Sequence, residues 1–196
     1  MALSRVMPPA AAPDAQLVQR LRRGEHAAFR ELYERFAQAS YGFLLRLAGR
    51  REAAEDLHQE VWLSIARHAA RLQPDTDLAA WIFTVARNRF RSWRRRKEPT
   101  VPLDESALDD RLGAPAPADD PGCRDLERAL ASLPEPYREV LLLVAIEGLD
   151  TTRAAVVLDI RPDAARQRLA RARAALADAV HAQARPPASL ARRTGS

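Results

Sequence analysis

Three groups of side chains in this 196-residue chain have types and spacings that could do chemistry. The first lies in residues 148–173. Asp150 is placed to cap a short helix ending near Leu158, and a tight connection follows over residues 159–161. A second helix then carries Arg161, Arg166, Gln167, Arg168, Arg171 and Arg173. This pattern reads as a helix-turn-helix, whose second helix fits the DNA major groove and whose arginines can bond guanine or phosphate. An ordinary helical hairpin with solvated arginines would share it. The second group is Arg87, Arg91, Arg94 and Arg95, at three- and four-residue steps on a helix that also holds Trp81, Phe83, Phe90 and Trp93. Cations that track a backbone, with aromatic surface for unstacked bases, are the requirements for holding single-stranded or melting DNA. On spacing alone, Trp81 and Trp93 are more often core, with the arginines merely keeping the helix soluble.

The third group is acidic: Glu52, Glu55, Asp56, Gln59 and Glu60, with the carboxylates at 52, 56 and 60 four apart and so on one helix face. Two carboxylates can act as acid and base or hold magnesium, which would make Glu55, Asp56 and Glu60 the centre of a metal-dependent nuclease. Neither a phosphate-cradling Gly loop nor a nucleophile–base pairing accompanies them. A basic protein partner, or a plain solvated face, suits such a stripe better. The four histidines (His26, His58, His68, His181) are scattered without metal-ligand spacing. No catalytic residue, metal or cofactor is expected.

Helices must position these groups. Asp14 can cap a helix through Leu17, Val18 and Leu21 that stops at Gly24, and a longer one carries Phe29, Leu32, Tyr33, Phe36, Leu44 and Leu47 to Gly49. Residues 51–72 repeat Leu57, Val61, Ile65, Ala69 and Leu72 at three and four residues until Pro74. A fourth helix starts near residues 75–77, with Leu78, Ile82, Ala86, Phe90 and Trp93 as its inward stripe, and ends before Pro99. Residues 98–123 contain five prolines and no helical period, which marks a linker. Beyond it, Leu126, Ala129, Leu130 and Leu133 form a short helix ended by Pro134. Pro136 opens another, with Tyr137, Val140, Leu141 and Val144 inward, which Gly148 stops. Pro162 opens the last, with Ala165, Leu169, Ala172, Leu176 and Ala179 buried. The expected fold is all-α: two small helical domains, 14–97 and 124–182, joined by a flexible acidic linker over 98–123 and flanked by disordered tails at 1–13 and 183–196.

Composition agrees. Apolar residues make up 47% and charged residues 29%, and only 7 glycines are present, which favours helix over sheet. Cys123 is the only cysteine, so a disulfide scaffold is excluded. No apolar run approaches the roughly 20 residues that cross a bilayer, and residues 1–13 lack the apolar stretch of a signal peptide, so a cytoplasmic protein is expected. Net charge is +5, and its distribution is uneven. Residues 85–97 carry seven bases and no acid, whereas residues 98–122 carry seven acids against the single base Arg111. Such a reversal suggests two segments facing different surroundings.

These residues resemble a known family, the extracytoplasmic-function (ECF) sigma factors of bacterial RNA polymerase. Ala54-Glu55-Asp56-Leu57-His58-Gln59-Glu60-Val61-Trp62 looks like the family's helix that docks on the polymerase clamp. Trp81-Ile82-Phe83-Thr84-Val85-Ala86-Arg87-Asn88, followed by the Arg run to Lys97, looks like its promoter-melting helix. Leu133-Pro134-x-x-Tyr137-Arg138-x-Val140 and the helix-turn-helix, closing with Leu169-Ala170-Arg171-Ala172-Arg173-x-x-Leu176, look like domain 4. The resemblance spans roughly residues 14–182, with both domains in family order and spacing. It implies that Glu55, Asp56, Gln59 and Glu60 bind core polymerase. It implies also that Arg87, Asn88, Arg91, Arg94 and Arg95 hold the opening strands at the −10 element, and that residues 73–78 lie where the family receives a flipped base. Domain 4 would read the −35 element through Arg161, Arg166, Gln167, Arg168, Arg171 and Arg173. The acidic linker would thread toward the polymerase cleft, and an anti-sigma protein is a common partner.

Three departures stand out. Arg153 and Ala154 replace the usual Glu and Ile, and an Arg at the third helical position cannot close a capping box and opposes the helix dipole. Ala164 lacks the hydroxyl that the family commonly offers to DNA. Promoter binding by domain 4 is therefore expected, but no −35 sequence carries over from the family, and no long regulatory extension is expected after domain 4. The alternative is a stand-alone helix-turn-helix regulator, which leaves the clamp-like and melting-like helices unexplained.

Overall fold

The computed structural model describes residues 15–97 and 121–184, and every regular element among them is helical. Asp14, the linker's residues 98–120 and both chain ends lie outside the described residues.

The first group of helices is α1 (Ala15–Arg22), α2 (His26–Ala48), α3 (Arg51–His68) and α4 (Leu78–Lys97). Their boundaries follow local chemistry. Gly24 turns the chain at φ 75, and Gly49 caps α2 in the left-handed region, its N–H reaching the Leu45 carbonyl. α3 is shorter than the expected 51–72. It tightens into a 3₁₀ turn at Ala69–Arg71, after which Leu72 leaves in an extended conformation and drops its side chain into the core. Asp77 starts α4 by accepting the Ala80 N–H at 3.0 Å. Leu32, Phe36, Phe43, Leu44, Leu57, Ile65, Ile82 and Phe83 are fully enclosed between these helices, with Phe43 and Phe83 edge to face at 5.4 Å.

The second group is α5 (Pro121–Ser132), α6 (Glu135–Leu141), α7 (Thr151–Leu158) and α8 (Pro162–Ala184). α5 begins inside the stretch assigned to the linker. Proline lacks only an N–H that a first turn leaves unpaired anyway, so Pro121 can open the helix. α6 runs into a π-helical turn, Leu142–Ile146, which the residue pattern does not announce. There the Glu147 N–H bonds back five residues to Leu142 at 2.9 Å, and Gly148 ends the segment at φ 70. Asp150 caps α7 through the Thr152 and Arg153 N–H groups at 2.8 and 2.9 Å. Asp159 takes the left-handed turn before α8, at φ 55. Arg138 ties α5 to α6, its guanidinium donating to the carbonyls of Leu130, Ala131 and Leu133 at 3.1, 2.7 and 3.0 Å. Those carbonyls lie at the C-terminal end of α5, where a cation also meets the negative end of the helix dipole.

The two groups pack against each other. α7 lies along α4 and α6 touches α2, so the buried apolar residues form one continuous set across both.

Candidate functional site

On α3, the positions not needed for the core (Glu52, Glu55, Asp56, Gln59 and Glu60) are all exposed. Arg51 pairs with Glu55 at 2.7 Å along the same helix, and Arg96 approaches Glu60 at 4.0 Å. Solvent screens both pairs, and the face stays acidic. Beside it lies a groove of about 440 Å³ lined by Phe29, Tyr33, Tyr41, His58, Trp62 and Leu63. Tyr33 and Leu63 are 44% and 51% exposed. His58 sits within this aromatic wall, taking the Trp62 indole N–H at 2.9 Å. Burial lowers its pKa, the nearby Ala37 carbonyl only partly opposing. An acidic rim around an apolar groove can receive a basic amphipathic helix. Sequence reasoning found the rim and missed the groove, because Tyr33 was expected among the inward residues of α2.

α4 departs more from expectation. Phe83 and Phe90 belong to the core and offer no stacking surface; Trp81 and Trp93 are half-buried. Trp93 tilts against Phe90 at 5.9 Å and carries the Lys97 ammonium 4.8 Å above its ring. Asn88 and Arg95 are exposed, and Arg91 and Arg94 are half-buried. Arg87 is not on that open face. It is buried, donating to Glu139 at 2.8 Å and to the Val157 carbonyl at 3.3 Å, because α7 covers the side of α4 from which it projects. A helix period identifies residues that share a side; it is silent on what covers that side.

α8 presents its cations openly. Arg161 just before the helix and Arg166, Gln167, Arg171 and Arg173 on it are exposed and Arg168 is half-buried, while Ala165, Leu169 and Ala172 seat the helix on its neighbours. Arg166 pairs with Asp163 one turn earlier, a contact readily exchanged for phosphate or a base edge. Among the described residues no cluster of His, Cys, Asp and Glu could hold a metal, and no helix is long and apolar enough to cross a membrane.

Two family models match this chain. Residues 32–100 match the family model for sigma-70 region 2, and residues 123–176 that for sigma-70 region 4. The RNA polymerase sigma factor CarQ of Myxococcus xanthus is 33% identical over 156 residues, covering 77% of this chain and 88% of CarQ. The ECF RNA polymerase sigma factor SigF of Caulobacter vibrioides is 36% identical over 159 residues, covering 79% and 87%. The chain belongs to the ECF RNA polymerase sigma factors. This sigma factor therefore directs RNA polymerase to promoters, as a transcription initiation factor and not an enzyme. Its fold is shared with the sigma factor RpoE of Bartonella quintana, solved in complex with the anti-sigma factor NepR. The TM-score is 0.64 at 23% identity, covering 78% of this chain and 96% of that one.

Proposed function

We propose that the sigma factor divides its work between its exposed faces. Glu55, Asp56, Gln59 and Glu60 on α3 bind basic helices of core polymerase, with the groove at Tyr33 and Leu63 receiving apolar side chains beside them. Asn88, Arg91, Arg94 and Arg95 on α4 hold the −10 strands as they part, joined by Arg87 when Glu139 releases it. Arg161, Arg166, Gln167, Arg168, Arg171 and Arg173 engage the −35 element. The functional units are residues 14–97 and 124–182, and residues 98–123 connect them. An anti-sigma protein of the kind solved with the RpoE relative is a partner for this chain too. The sigma factor acts in the cytoplasm, on the nucleoid while bound to polymerase.

The separation of charge supports this reading: the exposed acids sit on α3 of the first group of helices and the open cations on α8 of the second, each suited to a partner of opposite sign. Reversing Asp56 and Glu60 together to Lys should abolish co-purification with core polymerase while the circular dichroism spectrum stays unchanged. Undiminished holoenzyme assembly by that double variant overturns the polymerase-binding role.

A further inference from the structure

The contact between the two domains uses side chains that the reading above assigns to DNA. α6 presents Glu135 and Glu139, four residues apart and so on one face. Glu139 takes Arg87 at 2.8 Å, with both side chains nearly sealed from solvent at 3% and 7% exposure. Glu135 takes Arg94. Two carboxylates of the second domain thus stand where DNA phosphates would meet α4. Arg87 also donates to the Val157 carbonyl in the last turn of α7, a group with no partner inside its own helix. A separate pair closes the other end. The Arg153 guanidinium grips Asp77 with both arms, Nε to Oδ2 at 2.6 Å and Nη2 to Oδ1 at 2.7 Å.

Arg153 serves its own helix badly. It is the third residue of α7, where the positive end of the dipole disfavours a cation. Its benefit lies across the interface, where Asp77 simultaneously caps α4 through Ala80. Burial tends to raise the Asp77 carboxyl, but the hydrogen bonds from Arg153 and the α4 backbone outweigh it and bring the pKa below its ordinary value. Asp77 also belongs to residues 73–78, the segment expected to receive a flipped base. We propose that the isolated sigma factor closes on itself: α6 and α7 cover α4, Glu135 and Glu139 occupy the arginines in place of DNA, and the Arg153–Asp77 pair is the latch. The closure is suited to being reversible. An ion pair taken out of water returns little net stability, and its charges regain hydration together when the domains part. The proposal rests on the reading of α4 as a DNA-binding helix.

Arg153→Glu tests the latch without harming α7, because a Glu at that position suits the dipole and can reciprocate the Asp150 cap. Arg153→Lys, which keeps the charge, is the matched control. On the full chain, small-angle scattering should give Arg153→Glu a larger radius of gyration than the native protein or the Lys variant. A labelled single-stranded oligonucleotide of mixed sequence should bind it about tenfold more tightly, as expected when the binding-competent fraction of a two-state protein rises by that factor. Identical radii and affinities for the native and Glu variants overturn the latch. A larger radius with unchanged affinity overturns the masking of α4. Either failure leaves the sigma-factor reading standing if native protein and core polymerase still transcribe from a promoter; loss of that transcription would instead remove the reading itself.

Discussion

Replacing Glu147 by Gln should stabilise this sigma factor at alkaline pH and do little at acid pH. Glu147 follows the π-helical turn of the second domain, is 5% exposed, and lies within the field of Arg46 on α2. Burial pushes its carboxyl from 4.5 up to about 7, the Arg46 charge opposing only in part. Arg46 is poorly placed to compensate. It donates to the Gly42 carbonyl at 3.3 Å and approaches Glu127 at 3.5 Å, while its Nε is buried with no acceptor among the described residues. The folded protein therefore keeps a proton that the unfolded chain releases between 4.5 and about 7. Across that window stability falls as pH rises, and above it the loss levels off. The displacement corresponds to about 3 kcal/mol. Gln, of the same shape, has no proton to lose and should recover up to that amount. Urea unfolding of both proteins at about pH 5 and about pH 8 reads the difference directly. Curves that keep the same separation at both pH values would refute the reasoning, since a packing or hydrogen-bond effect is not tied to ionisation.

The other expectations follow from named side chains. Arg138→Met removes the guanidinium that the Leu130, Ala131 and Leu133 carbonyls share, and should lower stability by about 2–3 kcal/mol in chemical unfolding. Arg91→Ala with Arg95→Ala should weaken promoter opening and reduce its log–log salt slope by about one unit for each phosphate that is no longer neutralised; an unaltered slope counts against both arginines as phosphate ligands. Arg166→Ala should weaken −35 binding by about 1–3 kcal/mol on the preferred sequence, and an equal weakening on every sequence would make it a phosphate ligand.

Much of this molecule is local and so was legible in one dimension. The stripe through Leu57, Val61 and Ile65 placed α3 with its acids outward, and Gly49, Gly148, Asp150 and Pro162 marked ends that the chain observes. Each depends on the backbone within one turn, where residue type decides conformation. The helix-turn-helix with its outward arginines followed from the same kind of rule. The π-helical turn after Leu141 was not legible, because no composition distinguishes it from one more turn of α-helix.

What only the tertiary structure decided is which side of each helix meets which neighbour. Arg87 shares a helix with Arg91 and Arg95, yet it is buried against a glutamate 52 residues away. Arg153 looks like an error of capping until Asp77, 76 residues earlier in the chain, is seen between its arms. Phe83 and Phe90 fill a core, whereas Trp81 and Trp93 remain half open. Periodicity and capping are set by neighbours three and four residues apart, and the sequence by itself determined them. The pairing of one helix face with another depends on where distant segments come to rest, and no local pattern encodes that.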